Sequence, residues 1–421
     1  MTPNKLQLLE VKIDKLVHGG QGIGTLESGK KALVWGVLPG ETVQFSVIKK
    51  RSDYVEGVAQ KIIKKSEKRQ EPKDPEYLST SPWQIMDYSA ENEHKKIILS
   101  ETLTRAKVEY AGNLDLIFLN EPWHYRNKME YSFFGDDSGL HLALFNRGTH
   151  HKQIVSGSSI ARKEIDETAN KICKILDENA VRASDLKSII LRSNNDGKVV
   201  CAIFTRDKNF KKIDELDKVC QGVAVVFSNP KSPASVRTRD LYIYGDISLT
   251  EEINRNIIKY DVFSFFQVNL GIFQESLTQI NQFIGDEPAI DFYSGVGAIG
   301  VCLKNTKLLV ESDKNNIHWA KINAKNSGAK VVYALSEKAL EYINAQHVLV
   351  LDPPRAGLHT DVINKILEVK PPKISYLSCN PSTQARDIKL LENAYKIQKI
   401  TGYNFFPRTP HIEALALLVR K

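Results

Sequence analysis

Residues 289–300 read Ala-Ile-Asp-Phe-Tyr-Ser-Gly-Val-Gly-Ala-Ile-Gly, a short apolar strand that runs into a glycine-rich turn. Because glycine lacks a Cβ, Gly295, Gly297 and Gly300 allow a tight turn and the close approach of a ligand to the backbone. The stretch predicts a strand, a binding turn and a helix from about Ser294, the unit that builds doubly wound α/β sheets. The glycines alone fit both a structural turn and a dinucleotide site.

The chain around this stretch continues the alternation of strands and helices. Phe273, Leu277, Ile280 and Ile284 form an apolar stripe at helical spacing. Further predicted strands are 308–310, 330–333, 348–351, 373–377 and 414–419, and further predicted helices are 315–326 and 361–369. Continuous apolar strands between helices predict a parallel, Rossmann-like sheet over residues 263–421.

Two acidic residues and a proline pair refine the expected ligand. Asp291 precedes the glycines, and Glu311 ends the next strand, where a carboxylate can accept hydrogen bonds from a ribose diol. The fourth strand runs into Asp352-Pro353-Pro354, and prolines rigidify a loop beside a reacting centre. A strand followed by Asp-Pro-Pro resembles S-adenosylmethionine-dependent methyltransferases that act on bases, which favours a methyltransferase over a dinucleotide enzyme.

The N-terminal parts of the chain have other patterns. Short alternating strands and glycine-rich turns within residues 1–63 predict a small closed β-barrel. Residues 64–84 are charged and contain prolines, which predicts a linker or surface loop. A helix is expected from Asp87 to Val108. Residues 118–262 are dominated by strands, with one helix near 161–179, and predict an α+β middle domain.

Composition excludes several classes of protein. The 421 residues are 42% apolar and 26% charged, unlike a disordered or fibrous chain. The chain has no apolar run of about 20 residues, and its first residues lack an apolar core, so neither a membrane span nor a secretory signal is expected. Five widely spaced cysteines without a Cys-x-x-Cys pair predict a reduced, cytoplasmic protein.

Positive charge is concentrated at one end of the chain. Residues 1–70 contain 13 Lys and Arg against 7 Asp and Glu, while the remainder is nearly balanced. Such an excess fits a polyanion partner, most simply a nucleic acid, and it fits a solvated basic face equally well.

Chemistry is expected in the last two motifs of the chain. Cys379 follows the fifth predicted strand in Ser378-Cys-Asn-Pro381, at the sheet edge where ligands bind in open α/β folds. A lone cysteine is usually a small buried apolar residue, but polar neighbours set Cys379 apart from the other four. His411 and Glu413 lie before the last strand and could accept a proton, although these residues taken alone favour surface charge and turn chemistry.

These motifs together resemble the RNA uracil-C5 methyltransferases, which make 5-methyluridine in ribosomal and transfer RNA. The resembling stretches run in the family's order: 5–63, 123–132, 264–269, 291–297, 351–357, 378–387 and 406–413. The resemblance implies an N-terminal TRAM-type RNA-binding barrel, a middle RNA-binding domain and S-adenosylmethionine as cofactor. It also implies that residues 85–117 pack with the C-terminal domain although they precede the middle one.

The resemblance assigns roles to six residues. Cys379 matches the nucleophile that adds to uracil C6, and Glu413 matches the base that removes the C5 proton. Asp352 matches a residue that orients the cofactor or the uracil edge. The positions that contact the cofactor match Gln267, Tyr293, Glu311 and Asp352. Arg126 and His411 are expected to bind phosphate or to organise their loops.

One departure from the family bears on the cofactor. Many rRNA-type members carry four cysteines for an iron–sulfur cluster, whereas Asp74, Thr80, Trp83 and a position near Ser158 stand in their places here. Because such clusters need thiolate ligands, no cluster is expected. The departure weakens the transfer of a particular rRNA target. The family resemblance still favours 23S rRNA as the substrate, with tRNA as the alternative. No membrane and no obligate protein partner is implied.

Two rival functions remain. Amino-methyltransferases of adenine or cytosine usually place an aromatic residue after the proline pair, where this chain has Arg355. An RNA chaperone that keeps the cofactor pocket without turnover would not need Cys379 and Glu413.

Overall fold

The computed structural model describes residues 8–149, 151–232 and 234–421, so the first seven residues of the predicted barrel lie outside the description. Five strands close the barrel in the order β1-β2-β3-β5-β4. Their bounds are β1 Leu8–Leu16, β2 Gly22–Thr25, β3 Lys31–Trp35, β4 Thr42–Lys50 and β5 Tyr54–Lys64. Alternating apolar side chains, such as Val43 and Phe45, fill the interior. The predicted closed barrel is confirmed.

The segment after the barrel is irregular apart from a short helix, α1 (Tyr77–Thr80), but it is not simply a surface loop. Trp83 is 1% exposed, and its indole N–H donates to the carbonyl of Gly20 at 3.1 Å. Gln84 is also buried. The expectation that residues 64–84 form a linker or surface loop does not hold for Trp83 and Gln84, because this end of the segment is packed against the barrel and the rest of the molecule.

A helix and a short strand before the middle domain pack on the C-terminal sheet. Asp87 caps helix α2 (Tyr88–Arg105) by accepting a hydrogen bond from the Ser89 backbone at 3.0 Å. Strand β6 (Asp115–Ile117) pairs in parallel with residues 401–403. The C-terminal sheet therefore contains a strand that precedes the middle domain in the chain.

The middle domain is a seven-stranded sheet with one long helix on one face. The strand order is β13-β12-β11-β10-β7-β8-β9. Its elements are β7 Lys128–Asp136, β8 Gly139–Phe145, β9 Lys152–Ile154, α3 Lys163–Glu178, β10 Leu186–Ser193, β11 Val199–Thr205, β12 Gly222–Phe227 and β13 Arg239–Gly245, with 3₁₀ turns at Ala183–Asp185 and Asp214–Lys218. A hairpin of β14 (Ser248–Ile253) and β15 (Asn256–Asp261) leads to the C-terminal domain.

The C-terminal domain is an eight-stranded sheet in the order β18-β17-β16-β19-β20-β22-β21-β6. Its strands are β16 Ala289–Phe292, β17 Thr306–Glu311, β18 Lys330–Tyr333, β19 Val348–Leu351, β20 Lys373–Ser378, β21 Tyr395–Tyr403 and β22 Glu413–Arg420. Its helices are α4 Leu270–Ile284, α5 Lys314–Asn323, α6 Thr360–Val369 and α7 Pro381–Leu391, with 3₁₀ turns at Gly300–Cys302, Ser336–Lys338 and Leu340–Tyr342. The strands from β18 to β20 are parallel, whereas β22 is antiparallel to β20 and β21.

One predicted element is wrong. The helix expected from Ser294 is a series of turns that ends in the Gly300–Cys302 3₁₀ helix. Gly295 and Gly297 have φ values of 57° and 85°, which an α-helix cannot contain. A side chain at Gly300 would also collide with Leu309 of the neighbouring strand, so the turn lies directly against the sheet. None of the described helices is long and apolar enough to cross a membrane.

Candidate active site

The carboxyl ends of β16, β17, β19 and β20 open into one cavity of about 940 Å³. The six side chains expected to act on the uracil or to contact the cofactor line this cavity: Gln267, Tyr293, Glu311, Asp352, Cys379 and Glu413. Ligands of open α/β sheets bind at this edge, where strand order reverses around the first strand. Residues that are up to 146 positions apart in the chain are thus brought to one place.

Glu311 holds the glycine-rich turn in position. Its Oε2 accepts a hydrogen bond from the Gly295 backbone at 2.7 Å, and its Oε1 accepts from Ser312 and Asp313 at 2.7 and 2.6 Å. Burial raises the pKa of this carboxyl, while the three backbone donors oppose that shift. Asp291 lies behind the turn and accepts from the Gly300 backbone at 2.9 Å. The carboxylates therefore shape the turn from two sides.

Two further side chains border the same half of the cavity. Tyr293 has a φ of 63°, a conformation that costs energy for any residue with a side chain and that tends to occur at functional sites. The Gln267 amide donates to Asp352 Oδ2 across a long 3.4 Å. Gln267 thus connects the glycine-turn half of the cavity to the half that contains the acids and the thiol.

The cavity fits S-adenosylmethionine. Glu311 ends the second strand of the sheet, where a carboxylate can accept hydrogen bonds from a ribose diol. The Ser294 hydroxyl, in the glycine-rich turn, is buried and has no hydrogen-bond partner among the described residues. Val310, Leu335 and Ile363 provide apolar wall suited to a base.

The antiparallel strand β22 explains how Cys379 and Glu413 become neighbours. Ser378 at the end of β20 pairs with Ala414 near the start of β22. The residue after Ser378 and the residue before Ala414 therefore lie at the same sheet edge. A fully parallel sheet would have placed the start of the last strand at the opposite edge.

Burial and mutual repulsion keep this half of the site protonated. Burial raises the pKa of Asp352 to about 7. Burial and the nearby Asp352 charge raise the pKa of Glu413 well above its ordinary value. Burial, and then the charges of Glu413 and Asp352, raise the pKa of the Cys379 thiol, whereas Arg355 lowers it. In the resting site, ionisation of any one of Cys379, Asp352 and Glu413 therefore makes ionisation of the other two less favourable.

Asn127 of the middle domain was missed by sequence reasoning. It is fully buried, and its side-chain amide donates to the Gln267 backbone carbonyl at 3.0 Å. Its backbone N–H donates to the carbonyl of Val268. The asparagine lies inside a motif that the sequence singled out, but no local pattern reveals a partner 140 residues away.

A buried ion-pair network holds the loop before Glu413. Glu91 and Lys95 of α2 are both fully buried and lie 3.0 Å apart. Lys95 donates to Asn404 Oδ1 at 2.6 Å, and Glu91 accepts from the Arg408 backbone at 3.0 Å. From sequence, an i,i+4 Glu–Lys pair indicates a solvated helix face, so this role was also missed.

Arg355 and Arg386 line the cavity. His411 is two residues before Glu413, and desolvation and then the charges of Arg355, Lys95, Arg126 and Arg147 lower the pKa of its ring to about 4. Arg126 itself is half-buried and donates to the Lys128 carbonyl at 2.9 Å. The expectation that Arg126 and His411 bind phosphate or organise loops stays a prediction.

Two of the positions that would carry cluster cysteines, Asp74 and Ser158, belong to one polar network. Asp74 Oδ2 accepts from the Ser158 hydroxyl at 3.2 Å and from the Gln84 amide at 2.9 Å. The Ser159 backbone also donates to this carboxylate. Within the described ranges, no group of three or more His, Cys, Asp and Glu side chains is placed to hold a metal ion.

Comparison with known proteins gives consistent matches. Residues 323–421 match the tRNA (uracil-5-)-methyltransferase family, and residues 5–59 match the TRAM domain. An uncharacterized RNA methyltransferase of Enterococcus faecalis is 28% identical over 448 residues, covering 99% of this chain and 98% of the relative. One from Thermotoga maritima is 27% identical over 446 residues, covering 98% and 99%.

A solved structure has the same fold throughout. It is the Pyrococcus abyssi tRNA (uracil-54, C5)-methyltransferase in complex with S-adenosyl-L-homocysteine, with a TM-score of 0.81 and 22% identity. The match covers 98% of this chain and all of that one.

The Rossmann-like sheet, the cavity at its carboxyl edge and the matches define a class, the S-adenosylmethionine-dependent methyltransferases. Within this class, residues 323–421 and the N-terminal barrel are similar to the RNA uracil-C5 methyltransferases.

Proposed function

We propose that this protein methylates C5 of a uridine in RNA through a covalent adduct with Cys379. The observation that carries the proposal is the juxtaposition of Cys379 and Glu413 at the edge of a cavity that Gln267, Tyr293 and Glu311 also line. An amino-methyltransferase has no use for a thiol beside a buried carboxyl group. A chaperone would gain nothing from burying these acids at a cost in stability.

The chemistry of uracil explains the need for a thiol. C5 is a poor nucleophile, and addition of a thiolate to C6 converts the ring to an enolate whose C5 is nucleophilic. S-adenosylmethionine supplies the electrophilic methyl group on its sulfonium. Removal of the C5 proton then allows the C6–S bond to break, which restores the aromatic ring and the free thiolate.

The side chains can balance the protons of this sequence. The Cys379 proton must leave before attack, and Asp352, whose pKa is about 7, is a suitable acceptor near neutral pH. Arg355 favours the thiolate. Glu413 accepts the C5 proton in its ionised form, and it returns that proton to solvent before the next turnover.

RNA as the substrate is supported by Arg355 and Arg386, which line the cavity, and by the TRAM barrel. We retain 23S rRNA as the first candidate target and tRNA as the alternative. The Pyrococcus protein acts on a tRNA, whereas the full-length bacterial relatives are named only RNA methyltransferases. Mapping 5-methyluridine in rRNA and tRNA from a deletion strain decides between the two.

The mechanism is tested by trapping. RNA that contains 5-fluorouridine should form a covalent complex, because fluorine cannot leave as a proton and elimination stalls. We expect a band that resists denaturation, requires S-adenosylmethionine and is absent from Cys379→Ala. Methylation without a trappable adduct would contradict the covalent route, and absence of methylation from total RNA of the deletion strain would contradict the activity itself.

A further inference from the structure

A single peptide unit at the edge of the active-site cavity is held by two domains. The carbonyl of Ser264 accepts a hydrogen bond at 2.5 Å from Nη2 of Arg192, which lies on β10 of the middle domain. The backbone N–H of Phe265 donates to Oδ1 of Asn316, on α5 of the C-terminal domain, at 3.2 Å. This carbonyl and this N–H belong to the same planar unit, so one side chain from each domain fixes its orientation.

The residue that follows this peptide unit forms part of the cavity wall. Phe265 lines the cavity and is 63% exposed, an unusual exposure for a phenyl group. The next residue, Phe266, is buried and stacks on Tyr260 with the ring centroids 4.1 Å apart. Consecutive aromatic rings thus lie on opposite sides of the backbone, one in the core and one in the cavity. A rotation of the peptide unit would move the exposed ring.

The burial of Arg192 indicates a specific role for its side chain. The residue is 1% exposed, and among the described residues its Nε and Nη1 have no hydrogen-bond partner. Burial lowers the pKa of the guanidinium to about 10, although the nearby Tyr260 and Asp261 oppose that shift. An apolar side chain of similar size would avoid the cost of desolvating a cation, but it could not donate to Ser264.

The turn before this peptide unit is fixed by other groups. Oδ1 of Asp261 accepts hydrogen bonds from the backbone N–H and the hydroxyl of Ser264 and from the Asn315 amide, each at 2.8 Å. After the unit, the Gln267 carbonyl is held by Asn127. Loss of the Arg192 guanidinium should therefore release the unit itself and leave the rest of the loop in place.

We propose that Arg192 is a positioning residue that sets the place of Phe265 in the active-site cavity. The middle domain would then control the shape of the cavity in which the uridine reacts, a consequence that rests on the proposed function. Arg192 itself does not line the cavity. It acts through the Ser264 carbonyl and the ring that follows.

The first test follows the loop directly and needs no activity. Hydrogen–deuterium exchange of the full-length protein is measured in the peptide that covers residues 264–268. In Arg192→Met this peptide should exchange severalfold faster than in the wild type, because the released unit rotates more freely. Arg192→Lys, which keeps a cation at this position, should give a smaller increase and serves as the second variant if Arg192→Met does not fold.

The matched control for exchange is Tyr131→Phe. It removes a buried hydrogen bond to Asp166 in the same domain, on the face of the sheet that packs against α3. Exchange of residues 264–268 should not change in this variant. Unchanged exchange in both Arg192 variants, or an equal increase in the control, would overturn the proposal.

The second test is a double-mutant cycle with Phe265. Single-turnover methylation is measured with labelled S-adenosylmethionine on total RNA from the deletion strain. Arg192→Met should lower the rate about tenfold or more when Phe265 is present. It should lower the rate less than about twofold in Phe265→Ala, because the side chain that Arg192 positions is then absent.

Equal losses in the two backgrounds would mean that Arg192 contributes only to general stability, and they would contradict a positioning role. A wild-type protein that does not methylate this RNA would refute the proposed function instead. In that case the exchange measurement still decides whether Arg192 holds the loop.

Discussion

The Asn127 side-chain amide donates to the backbone carbonyl of Gln267, so a residue of the middle domain holds a residue that lines the cofactor-side cavity. Asn127 is in turn fixed by the Ser193 backbone, which donates to its carbonyl at 3.0 Å. The position of Gln267 therefore depends on a domain that carries no part of the glycine-rich turn.

Asn127→Ala should weaken S-adenosylhomocysteine binding about tenfold, because loss of a buried hydrogen bond costs about 1–2 kcal/mol and releases the Gln267 backbone. Isothermal titration gives the dissociation constant. Asn170→Ala is the control, since Asn170 donates only to carbonyls of its own domain, those of Ser156 and Asp166. Equal effects of the two substitutions would show that the change is general destabilisation.

Cys379→Ala should abolish 5-methyluridine formation and leave S-adenosylhomocysteine affinity within twofold of wild type. Under the proposed mechanism the thiol is required for chemistry, and it is not among the residues expected to contact the cofactor. Methyl transfer from labelled S-adenosylmethionine to RNA provides the measurement. A variant that still methylates at the wild-type rate would disprove the role of the thiol.

Under the proposed mechanism, activity should fall by at least tenfold per pH unit below about pH 7, because Asp352, whose pKa is about 7, and Glu413, whose pKa is raised, must both be ionised. The profile of single-turnover rate against pH measures this. In Asp352→Asn the acidic limb should become less steep, because Glu413 alone then titrates, and most of the activity should be lost. An acidic limb as steep as that of the wild type would show that Asp352 does not contribute to it.

For Asp352 we expect stability to change with pH in the direction opposite to activity. The folded-state pKa of Asp352 is raised, so between about pH 4 and pH 7 the folded protein keeps a proton that the unfolded chain has lost, and stability falls as pH rises. Asp352→Asn should therefore raise the free energy of unfolding at pH 8 by about 2 kcal/mol, since each pKa unit corresponds to about 1.4 kcal/mol and solvent screens part of it. Urea titrations at pH 5 and pH 8 test this; an equal gain at both would reject it.

Gly20→Ala should disturb the active site from a distance. A methyl group there would collide with Pro410, in the loop that leads to Glu413, whereas one at Gly19 would meet no atom within 4 Å. Both glycines have positive φ, 98° for Gly19 and 100° for Gly20, so both substitutions strain the backbone by about 1 kcal/mol. Only Gly20→Ala should also lower the methylation rate severalfold. Equal rates for the two variants would argue against coupling between the barrel and the loop.

Local sequence patterns were sufficient to predict the bounds of short strands that lie between turns. The strand bounds 289–292, 330–333 and 348–351 are as predicted, since short apolar runs between turns have few alternatives. Asp352 and Cys379 directly follow such strands and Glu311 ends one, whereas Gln267 and Tyr293 were named only through the family resemblance. Their roles stay predictions.

The remaining features depend on contacts between distant parts of the chain. The spacing of Glu91 and Lys95 indicates a surface ion pair, whereas in the structure Asn404 and Arg408 contact these side chains and they are buried. Trp83 lies in a charged, proline-containing stretch, and the Gly20 carbonyl that binds it is 63 residues away. The helix predicted from Ser294 is absent because Gly295 and Gly297 adopt positive φ, and Gly300 lies against Leu309, which is nine residues away in the chain.

Strand β6 precedes the middle domain yet forms the edge of the C-terminal sheet, pairing Asp115 with Thr401. The catalytic sheet is therefore completed only when two segments separated by a whole domain meet. Pairing β6 with β21 closes a loop that contains the middle domain, and the entropic cost of closing that loop is larger while the middle domain is unfolded. Folding of the middle domain first therefore brings the two strands closer together and lowers this cost. We expect refolding in two phases, with burial of the middle-domain core ahead of the edge pairing, and a catalytic sheet that is slow to form after denaturation although it is stable once made.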